Sequence, residues 1–317
     1  MLELVDGYAH VGLPRFQSAQ AWLSRMDGAS ISHSIACPFE TCPDLRGVHA
    51  AYQLNPERIR AFGLALGSSR DEVEAGLHAQ MDAGFIGFRL AESRLAEMPS
   101  ILDVVGSRGG IALVVGKSGL SAQAPNLLNY LDRYGDSVIV SPHMAGVADA
   151  DLPARDSHVR ALLEHPRFHV VMTRSAKVSA EVLHRWTETL ITHVGWDRLM
   201  WGSEAPVSFW RDWTLEGIRN WIDAYNPSEA QRQAFLRDNG LRVIFGHKHH
   251  APEPLQLPYE PFDHLVDSPA PLFPFGFQAN SELPARLVDR WMEEGGPERE
   301  TLTAFTSRLL LDTLRAK

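Results

Sequence analysis

Ionisable side chains stand directly after several short apolar segments of this chain. His10 follows the first segment, His143 follows the sixth and Glu204 follows the eighth. Two histidines and one carboxylate form a ligand set that can hold a single divalent ion and leave coordination positions open. Without a metal, the carboxylate could act as a general base on water while the histidines stabilise a developing oxyanion. The positions of these residues therefore predict a reaction centre made of His10, His143 and Glu204.

Basic side chains follow three further segments and predict binding of an anionic group. Arg89 follows the fourth segment, Lys117 the fifth and Arg174 the seventh. An arginine fork suits a carboxylate because it makes paired, charge-assisted hydrogen bonds. The whole chain has a formal net charge of -9, so a locally positive site would stand out and attract anions. We expect Arg89, Arg174 and Lys117 to bind the substrate and its acidic group, with Tyr8 orienting it.

The elements that must position these residues are short apolar runs that alternate with longer amphipathic segments up to residue 245. Most runs are continuously apolar, as expected for parallel strands buried on both faces. Eight such units predict an α/β protein, a (β/α)8 TIM barrel, with the reacting groups at the carboxyl ends of its strands. The predicted strands are Leu2–Val5, Ser34–Phe39, Ile59–Leu66, Phe85–Leu90, Ile111–Val115, Val138–Val140, Phe168–Met172 and Leu199–Trp201.

Helix-capping signals lie between the predicted strands, and we give them structural roles only. Ser179 predicts the start of one helix. Asn226, followed by Pro227, predicts the start of another helix, which we expect to end at Gly240.

The sequence pattern changes after residue 247, and the chain is predicted to divide there. We expect a barrel domain over residues 1–247 and an extension over residues 248–317 that packs on the barrel or on a partner subunit. The aromatic side chains of the extension are compatible with a homodimer. Residues 247–250 include three histidines and resemble a metal tract, but we interpret them as a solvated turn.

Composition excludes several classes of function. An acidic chain whose basic residues are scattered is unlike a nucleic-acid binder, which usually has a basic face. The sequence has no apolar run of about 18 residues and no visible secretory signal. We therefore expect a cytoplasmic protein with a small-molecule substrate and with neither a nucleic-acid nor a membrane partner. Cys37 and Cys42 lack the spacing of a zinc site and are interpreted as unpaired thiols.

Five motifs, in order along residues 1–246, resemble those of the amidohydrolase family. The first resembles its Asp-x-His-x-His, the second resembles a strand of its lactonase branch, and the fourth resembles its closing Gly-Ser-Asp strand. The resemblance implies a TIM barrel with hydrolytic activity, commonly metal-dependent. The motifs are Val-Asp-Gly-Tyr-Ala-His at 5–10, Gly-Phe-Ile-Gly-Phe-Arg-Leu at 84–90, Ser-Pro-His-Met-Ala-Gly at 141–146, Arg-Leu-Met-Trp-Gly-Ser-Glu-Ala-Pro at 198–206 and Asn-Gly-Leu-Arg-Val-Ile-Phe-Gly at 239–246.

The chain departs from the family's pattern at positions that would bind metal. Tyr8 stands where the family has its first metal-binding histidine, and Glu204 stands where it has its terminal aspartate. Lys117 follows the strand that can supply a bridging ligand, so a two-metal site is not expected. Three interpretations stay open. One divalent ion, zinc or manganese, is bound by His10, His143 and Glu204; or the site works without a metal; or it has been rebuilt for ligand binding or non-hydrolytic chemistry.

These observations predict an enzyme that hydrolyses a small cyclic ester (lactone) or a related carbonyl compound carrying an acidic group. Water would be activated by Glu204 or by a single metal ion. The alternatives are a metal-dependent decarboxylase or other lyase on the same barrel, and a non-catalytic barrel that binds a ligand. Simpler roles also stay open: His10 as a core histidine, Glu204 in an ion pair with an arginine, and Asp6 as a tie for the first loop.

Overall fold

Eight parallel strands form the frame of the molecule in this computed structural model. The structure describes residues 3–13, 15–116, 121–147, 149–173, 179–208, 215–264 and 289–295, and the single positions 299, 305, 306, 308, 309 and 312. Each strand pairs in parallel with the next one along the chain. The strands are β1 (Leu4–Asp6), β2 (Ile31–Ala36), β3 (Ile59–Leu64), β4 (Gly87–Ala91), β5 (Ile111–Val115), β6 (Val138–Ser141), β7 (Phe168–Met172) and β8 (Leu199–Trp201).

Backbone hydrogen bonds connect the last strand to the first and bring the sheet close to closure. Gly7 N donates to Trp201 O at 3.0 Å, and Glu204 N donates to Tyr8 O at 2.8 Å. The predicted TIM barrel is therefore confirmed. The helices are α1 (Ala19–Gly28), α2 (Leu45–Leu54), α3 (Arg70–Asp82), α4 (Glu92–Glu97), α5 (Ile101–Ser107), α6 (Ala124–Arg133), α7 (Pro142–Gly146), α8 (Leu152–Arg155), α9 (Ser157–Glu164), α10 (Ala180–His193), α11 (Leu215–Asn220) and α12 (Glu229–Gln233).

Each predicted strand overlaps an observed strand, and the largest difference lies at β2. This strand begins at Ile31, three residues before the predicted start at Ser34. The first half of the strand includes Ser32 and His33, which are only partly buried at the amino-terminal end of the barrel. These polar residues interrupt the apolar run that marks the other strands, so hydrophobicity alone predicted the start too late.

The core has an inner part within the barrel and an outer part between strands and helices. Residues such as Ile35, Phe62, Leu113 and Val171 fill the inner part. A π-helical turn at Leu241–Phe245 contributes to the same inner cluster. This segment follows α12 and a first π-helical turn, which contacts β1 and β8.

The helix signals were correct in one case and partly wrong in the other. Ser179 caps α10, its side chain accepting a hydrogen bond from Val182 N. The cap of α12 is Ser228, however, because Asn226 adopts a left-handed conformation outside the helix. The helix also does not end at Gly240, whose backbone is helical. A Cβ at Gly240 would lie 2.6 Å from the Val5 side chain, so close packing against β1 explains this glycine.

Two compact units divide the chain at Met1–Phe273 and Pro274–Lys317. In the first unit, residues after 247 are held to the barrel: His247 Nε2 bonds to Gly109 O at 2.8 Å and His250 Nε2 bonds to Met81 O at 3.0 Å. Residues 248–250 are exposed, as predicted for a solvated turn, but these hydrogen bonds anchor the turn to the barrel. In the second unit, Arg290 pairs with Glu294 at 3.2 Å. A domain boundary after residue 247 and a homodimer through the extension stay predictions.

Among the described residues, no helix combines the length and the apolar character needed to cross a bilayer.

Candidate active site

Asp6 fixes the geometry of the barrel opening by joining the ends of β1 and β8. Its Oδ1 accepts hydrogen bonds from Tyr8 N at 3.1 Å and from Ser203 N at 2.8 Å. Its Oδ2 accepts a hydrogen bond from the Ser203 hydroxyl. Burial raises the pKa of Asp6 to about 6, although hydrogen bonds from Ser203 oppose the shift. As predicted, Asp6 ties down the first loop, and so it sets the positions of Tyr8 and Glu204.

His10 is a buried, neutral histidine with a defined hydrogen-bonding pattern. Its Nδ1 lies 3.1 Å from Cys37 O, and because a carbonyl oxygen only accepts, Nδ1 carries the proton and Nε2 keeps its lone pair. Burial, followed by the charge of Arg89, lowers the pKa of His10 well below its usual value. Nε2 can therefore accept a hydrogen bond or bind a metal. The predicted donation to an oxyanion would require the protonated form, which burial disfavours.

Tyr8 and Arg89 form a buried pair at the centre of the site. The Tyr8 ring meets the rings of His10 and His143 edge to face, with centroid distances of 4.9 and 5.0 Å. Arg89 Nε donates to the Tyr8 hydroxyl at 3.2 Å. Burial raises the pKa of Tyr8 above its usual value, so the phenol keeps its proton. The structure thus places a neutral phenol, itself hydrogen-bonded to a guanidinium, beside both histidines.

Glu40 supplies the counter-charge of Arg89 and was not predicted from the sequence. Arg89 Nη1 donates to the Glu40 carboxylate, and the two side chains are 4% and 21% exposed. Burial alone would lower the pKa of Arg89, but Glu40, Tyr8 and Cys37 together outweigh it and raise the pKa. Glu40 directly follows the second predicted strand. The rule that identified the other site residues could therefore have found it.

His143 lies in α7, a short turn with an unusual backbone. His143, Met144 and Ala145 have φ values of 55°, 58° and 56°, so this is a left-handed turn made largely of non-glycine residues. The Thr173 hydroxyl lies 2.9 Å from His143 Nδ1 and accepts from His143 N at 3.0 Å. Trp186 Nε1 donates to Met144 O at 2.8 Å. Left-handed backbone costs about 1–2 kcal/mol per residue, and such strain clusters at functional sites.

Glu204 completes the site at the end of β8. It is 8% exposed, and its Oε1 lies 4.0 Å from His143 Nδ1. Its own φ is 53°, so this residue also has left-handed backbone. The structure thus brings together five predicted residues: Tyr8, His10, Arg89, His143 and Glu204. Lys117 and Arg174 lie outside the described residues.

The comparison with known families agrees with this geometry. A family model described as amidohydrolase matches residues 46–245, which is more than half of the chain. The chain belongs to the amidohydrolase family. The resemblance predicted from the five motifs is therefore confirmed. None of the curated proteins is significantly similar to this amidohydrolase in sequence.

Solved structures that share the fold of this amidohydrolase match it over about three-quarters of its length. A probable 2-pyrone-4,6-dicarboxylic acid hydrolase from Acinetobacter baumannii, with citric acid bound, is 16% identical over 77% of this chain and 99% of its own, with a TM-score of 0.60. A zinc-bound amidohydrolase from Burkholderia multivorans is 16% identical over 76% and 98%, with a TM-score of 0.56. A dihydroxybenzoic acid decarboxylase from Polaromonas sp. JS666, with manganese and the inhibitor 2-nitroresorcinol bound, is 14% identical over 78% and 98%, with a TM-score of 0.55.

The described side chains of this amidohydrolase do not fit a metal centre. Among them, no group of three or more histidine, cysteine, aspartate or glutamate residues is arranged to hold an ion. The predicted ligands His10, His143 and Glu204 surround Tyr8, which is a poor substitute for the family's neutral histidine because it keeps its proton. Arg89 adds a fixed positive charge beside them, and like charges repel strongly at a buried site. The donor set therefore favours chemistry that this chain's own side chains can perform.

Proposed function

We propose that this amidohydrolase hydrolyses a small cyclic ester carrying an acidic group, with Glu204 as the general base. The observation that carries the proposal is the position of Glu204, which is almost fully buried on strained backbone opposite His143. A carboxylate at the end of the last strand can accept a proton from water held in the barrel opening. Support also comes from the shared fold with a probable pyrone-dicarboxylic acid hydrolase that binds citric acid.

The reaction consumes one water molecule. Glu204 takes one proton as the water oxygen attacks the ester carbonyl. When the tetrahedral intermediate collapses, the bond between the carbonyl carbon and the ring oxygen breaks. The proton on Glu204 then passes to that oxygen, so the product is one open-chain hydroxy acid and Glu204 is regenerated.

Tyr8 and Arg89 are suited to stabilise the oxyanion of that intermediate. The Tyr8 hydroxyl accepts from Arg89 Nε, and among the described residues no acceptor is bonded to its own proton. The phenolic proton can therefore be donated to the substrate oxygen. Arg89 strengthens this donor and adds positive charge to a buried site, where such interactions are strongest.

The two histidines have different parts in this mechanism. His143 is oriented by Thr173 and faces Glu204, so it helps to position the attacking water. His10 keeps a free lone pair on Nε2 because its Nδ1 bonds to Cys37 O. It can accept a hydrogen bond from the substrate or the water, and the protonated form is not needed.

The substitution Glu204→Gln tests the proposal because it removes the base with little change in size. We expect kcat for a carboxylated 2-pyrone or a simple lactone to fall by about a hundredfold to ten-thousandfold, with the circular-dichroism spectrum unchanged. Glu97→Gln, at an exposed position, is the matched control and should keep full activity. A Glu204→Gln enzyme that retains its kcat would exclude Glu204 as the base.

Decarboxylation on the same barrel is the second candidate, favoured by the fold shared with a dihydroxybenzoic acid decarboxylase. The two reactions differ in mass balance. Hydrolysis in water enriched with ¹⁸O adds one labelled oxygen to the product, whereas decarboxylation releases carbon dioxide. If carbon dioxide appears and no label is incorporated, the lyase alternative holds. If no substrate is turned over, a ligand-binding barrel becomes the better interpretation.

A further inference from the structure

Arg15 is a second arginine near the reaction centre, on the loop between β1 and α1. Its Nη1 donates to the Thr41 hydroxyl at 2.8 Å. Its Nε is enclosed by the protein but has no hydrogen-bond partner. A buried N–H group without an acceptor destabilises the molecule. Because Nε is enclosed, an anion can meet this guanidinium at Nη2, which donates to none of the described residues.

The charge of Arg15 differs from that of Arg89 in having no carboxylate partner. Among the residues that the structure describes, no ion pair includes Arg15, whereas Arg89 is matched by Glu40. Burial lowers the pKa of Arg15 below its usual value, because part of the hydration of the guanidinium is lost. A partly desolvated cation without a counter-ion favours binding of an anionic ligand.

Two phenylalanine rings connect Arg15 to the reaction centre. The Arg15 guanidinium lies 5.7 Å from the centroid of Phe16 and 5.4 Å from that of Phe39. Phe16 stacks on His10 at 4.7 Å, and Arg89 lies over Phe39 at 4.2 Å. Phe39 thus contacts both guanidinium groups. A planar ligand whose reacting carbonyl lies near Tyr8 and Arg89 could extend a charged group toward Arg15.

We propose that Arg15 is the residue that selects substrates by binding their carboxylate, with Thr41 holding the guanidinium in place. This inference rests on the proposed function and refines it. Arg89, whose donors already meet Glu40 and Tyr8, supplies charge at the reacting carbonyl. Arg15 supplies its charge and the Nη2 donors, which a carboxylate binds with charge-assisted hydrogen bonds. The preferred substrate is therefore a planar cyclic ester with a carboxylate on the ring.

Binding of an unreactive acid tests this role without turnover. Isophthalate is a planar dicarboxylate, and isophthalamide is its neutral counterpart of similar shape. By isothermal titration we expect Arg15→Gln to weaken isophthalate binding by about 10- to 100-fold, as for loss of a charge-assisted hydrogen bond. Arg15→Lys should lose less, because it keeps the charge but not the fork. Isophthalamide should bind wild type and Arg15→Gln alike.

Two further variants distinguish a specific loss of binding from a general loss of structure. Arg46→Gln removes an exposed arginine that pairs with Glu260 and should leave isophthalate binding unchanged. Thr41→Val removes only the acceptor that positions Arg15 and should weaken isophthalate binding less than Arg15→Gln does. Equal isophthalate affinity in wild type and Arg15→Gln, or no measurable binding to wild type, would overturn the inference.

Kinetics separate this inference from the proposed function. With a carboxylated 2-pyrone, Arg15→Gln should raise KM by about 10- to 100-fold and leave kcat nearly unchanged. If isophthalate binding depends on Arg15 but no lactone is hydrolysed, the proposed function fails and the anion site stands. If hydrolysis depends on Glu204 but KM is insensitive to Arg15, the inference fails and the function stands.

Discussion

Asp6 shows how a single buried carboxyl group links the stability of the barrel to pH. Its pKa is about 6 in the folded chain, against a usual value of 3.8. The folded state therefore binds a proton more tightly than the unfolded state does. The contribution of this proton to the free energy of unfolding is fully present below pH 3.8 and is lost as pH rises through about 6. The two-unit difference corresponds to about 3 kcal/mol.

The substitution Asp6→Asn should remove this pH dependence. We expect the free energy of unfolding of wild type to fall, relative to that of Asp6→Asn, by about 3 kcal/mol between pH 3.5 and pH 8. Urea unfolding at several pH values measures the difference. Asp82→Asn, at an exposed ion pair with Arg108, should run parallel to wild type. Parallel curves for Asp6→Asn would show that burial does not shift this carboxyl group.

At the scale of single residues, the sequence predicted which side chains meet at the barrel opening better than it predicted their hydrogen bonds and protonation; their roles in catalysis stay predictions. Tyr8, His10, Arg89, His143 and Glu204 were found because each follows a strand end, where barrel enzymes place their reacting groups. The tautomer of His10 could not be predicted, because it depends on Cys37 O, 27 residues away. The strand-end rule would have included Glu40, but not its pairing with Arg89, which lies 49 residues later in the chain.

At the scale of elements, the left-handed turn α7 is the feature that sequence rules oppose most strongly. His143, Met144 and Ala145 all have side chains that disfavour positive φ. Two residues that are distant in sequence stabilise this conformation. The Thr173 hydroxyl accepts a hydrogen bond from His143 N, and Trp186 Nε1 donates one to Met144 O. Local propensity cannot predict such a turn because tertiary hydrogen bonds stabilise it. The strands, by contrast, are marked by their own apolar runs and were predicted well.

The turn gives a prediction about Trp186. Trp186→Phe keeps an aromatic ring in the core but removes the donor to Met144 O. We expect a stability loss of about 1–3 kcal/mol from the unsatisfied carbonyl. We also expect kcat to fall by about tenfold or more, because His143 is displaced. Urea unfolding and lactone kinetics on the same preparation measure both effects.

A second tryptophan provides the matched control. Trp22 is also fully buried, and its Nε1 donates to Ser34 Oγ at 3.1 Å, on β2 and away from α7. Trp22→Phe should therefore lose stability to a similar degree and keep its kcat. If both variants lose stability but neither loses kcat, the turn does not position His143 for catalysis.

At the scale of the whole molecule, the regular repeat of strand and helix made the barrel predictable. The structure of the chain after residue 247 was harder to predict. Parallel strands buried on both faces have a strong sequence signal. The segment over residues 248–264 has no such signal, yet it is held to the barrel by contacts such as the Arg46–Glu260 ion pair. This ion pair joins residues 214 positions apart. A pattern along the chain does not reveal contacts of this kind. The extent of the first compact unit, to Phe273, could therefore not be predicted from the sequence.

The charges in the barrel opening predict that the protein binds little metal. Tyr8 stands where the family has a metal-binding histidine, and the guanidinium of Arg89 lies beside it. We expect untagged protein, purified without chelator, to contain far less than one zinc or manganese per chain by elemental mass spectrometry. Chelator should leave lactone hydrolysis unchanged. About one zinc per chain, lost in His10→Ala, would instead establish the one-metal interpretation.

The same argument predicts how a metal site could be restored. Tyr8→His recreates the paired histidines of the family's first strand, but Arg89 would still repel the ion. The double variant Tyr8→His, Arg89→Met removes that repulsion. We expect the double variant to bind zinc more tightly, by titration with a competing chelator, than either single variant does. If Tyr8→His alone binds zinc as well as the double variant does, then the ligand at position 8, and not the charge of Arg89, is what sets the metal affinity of this barrel.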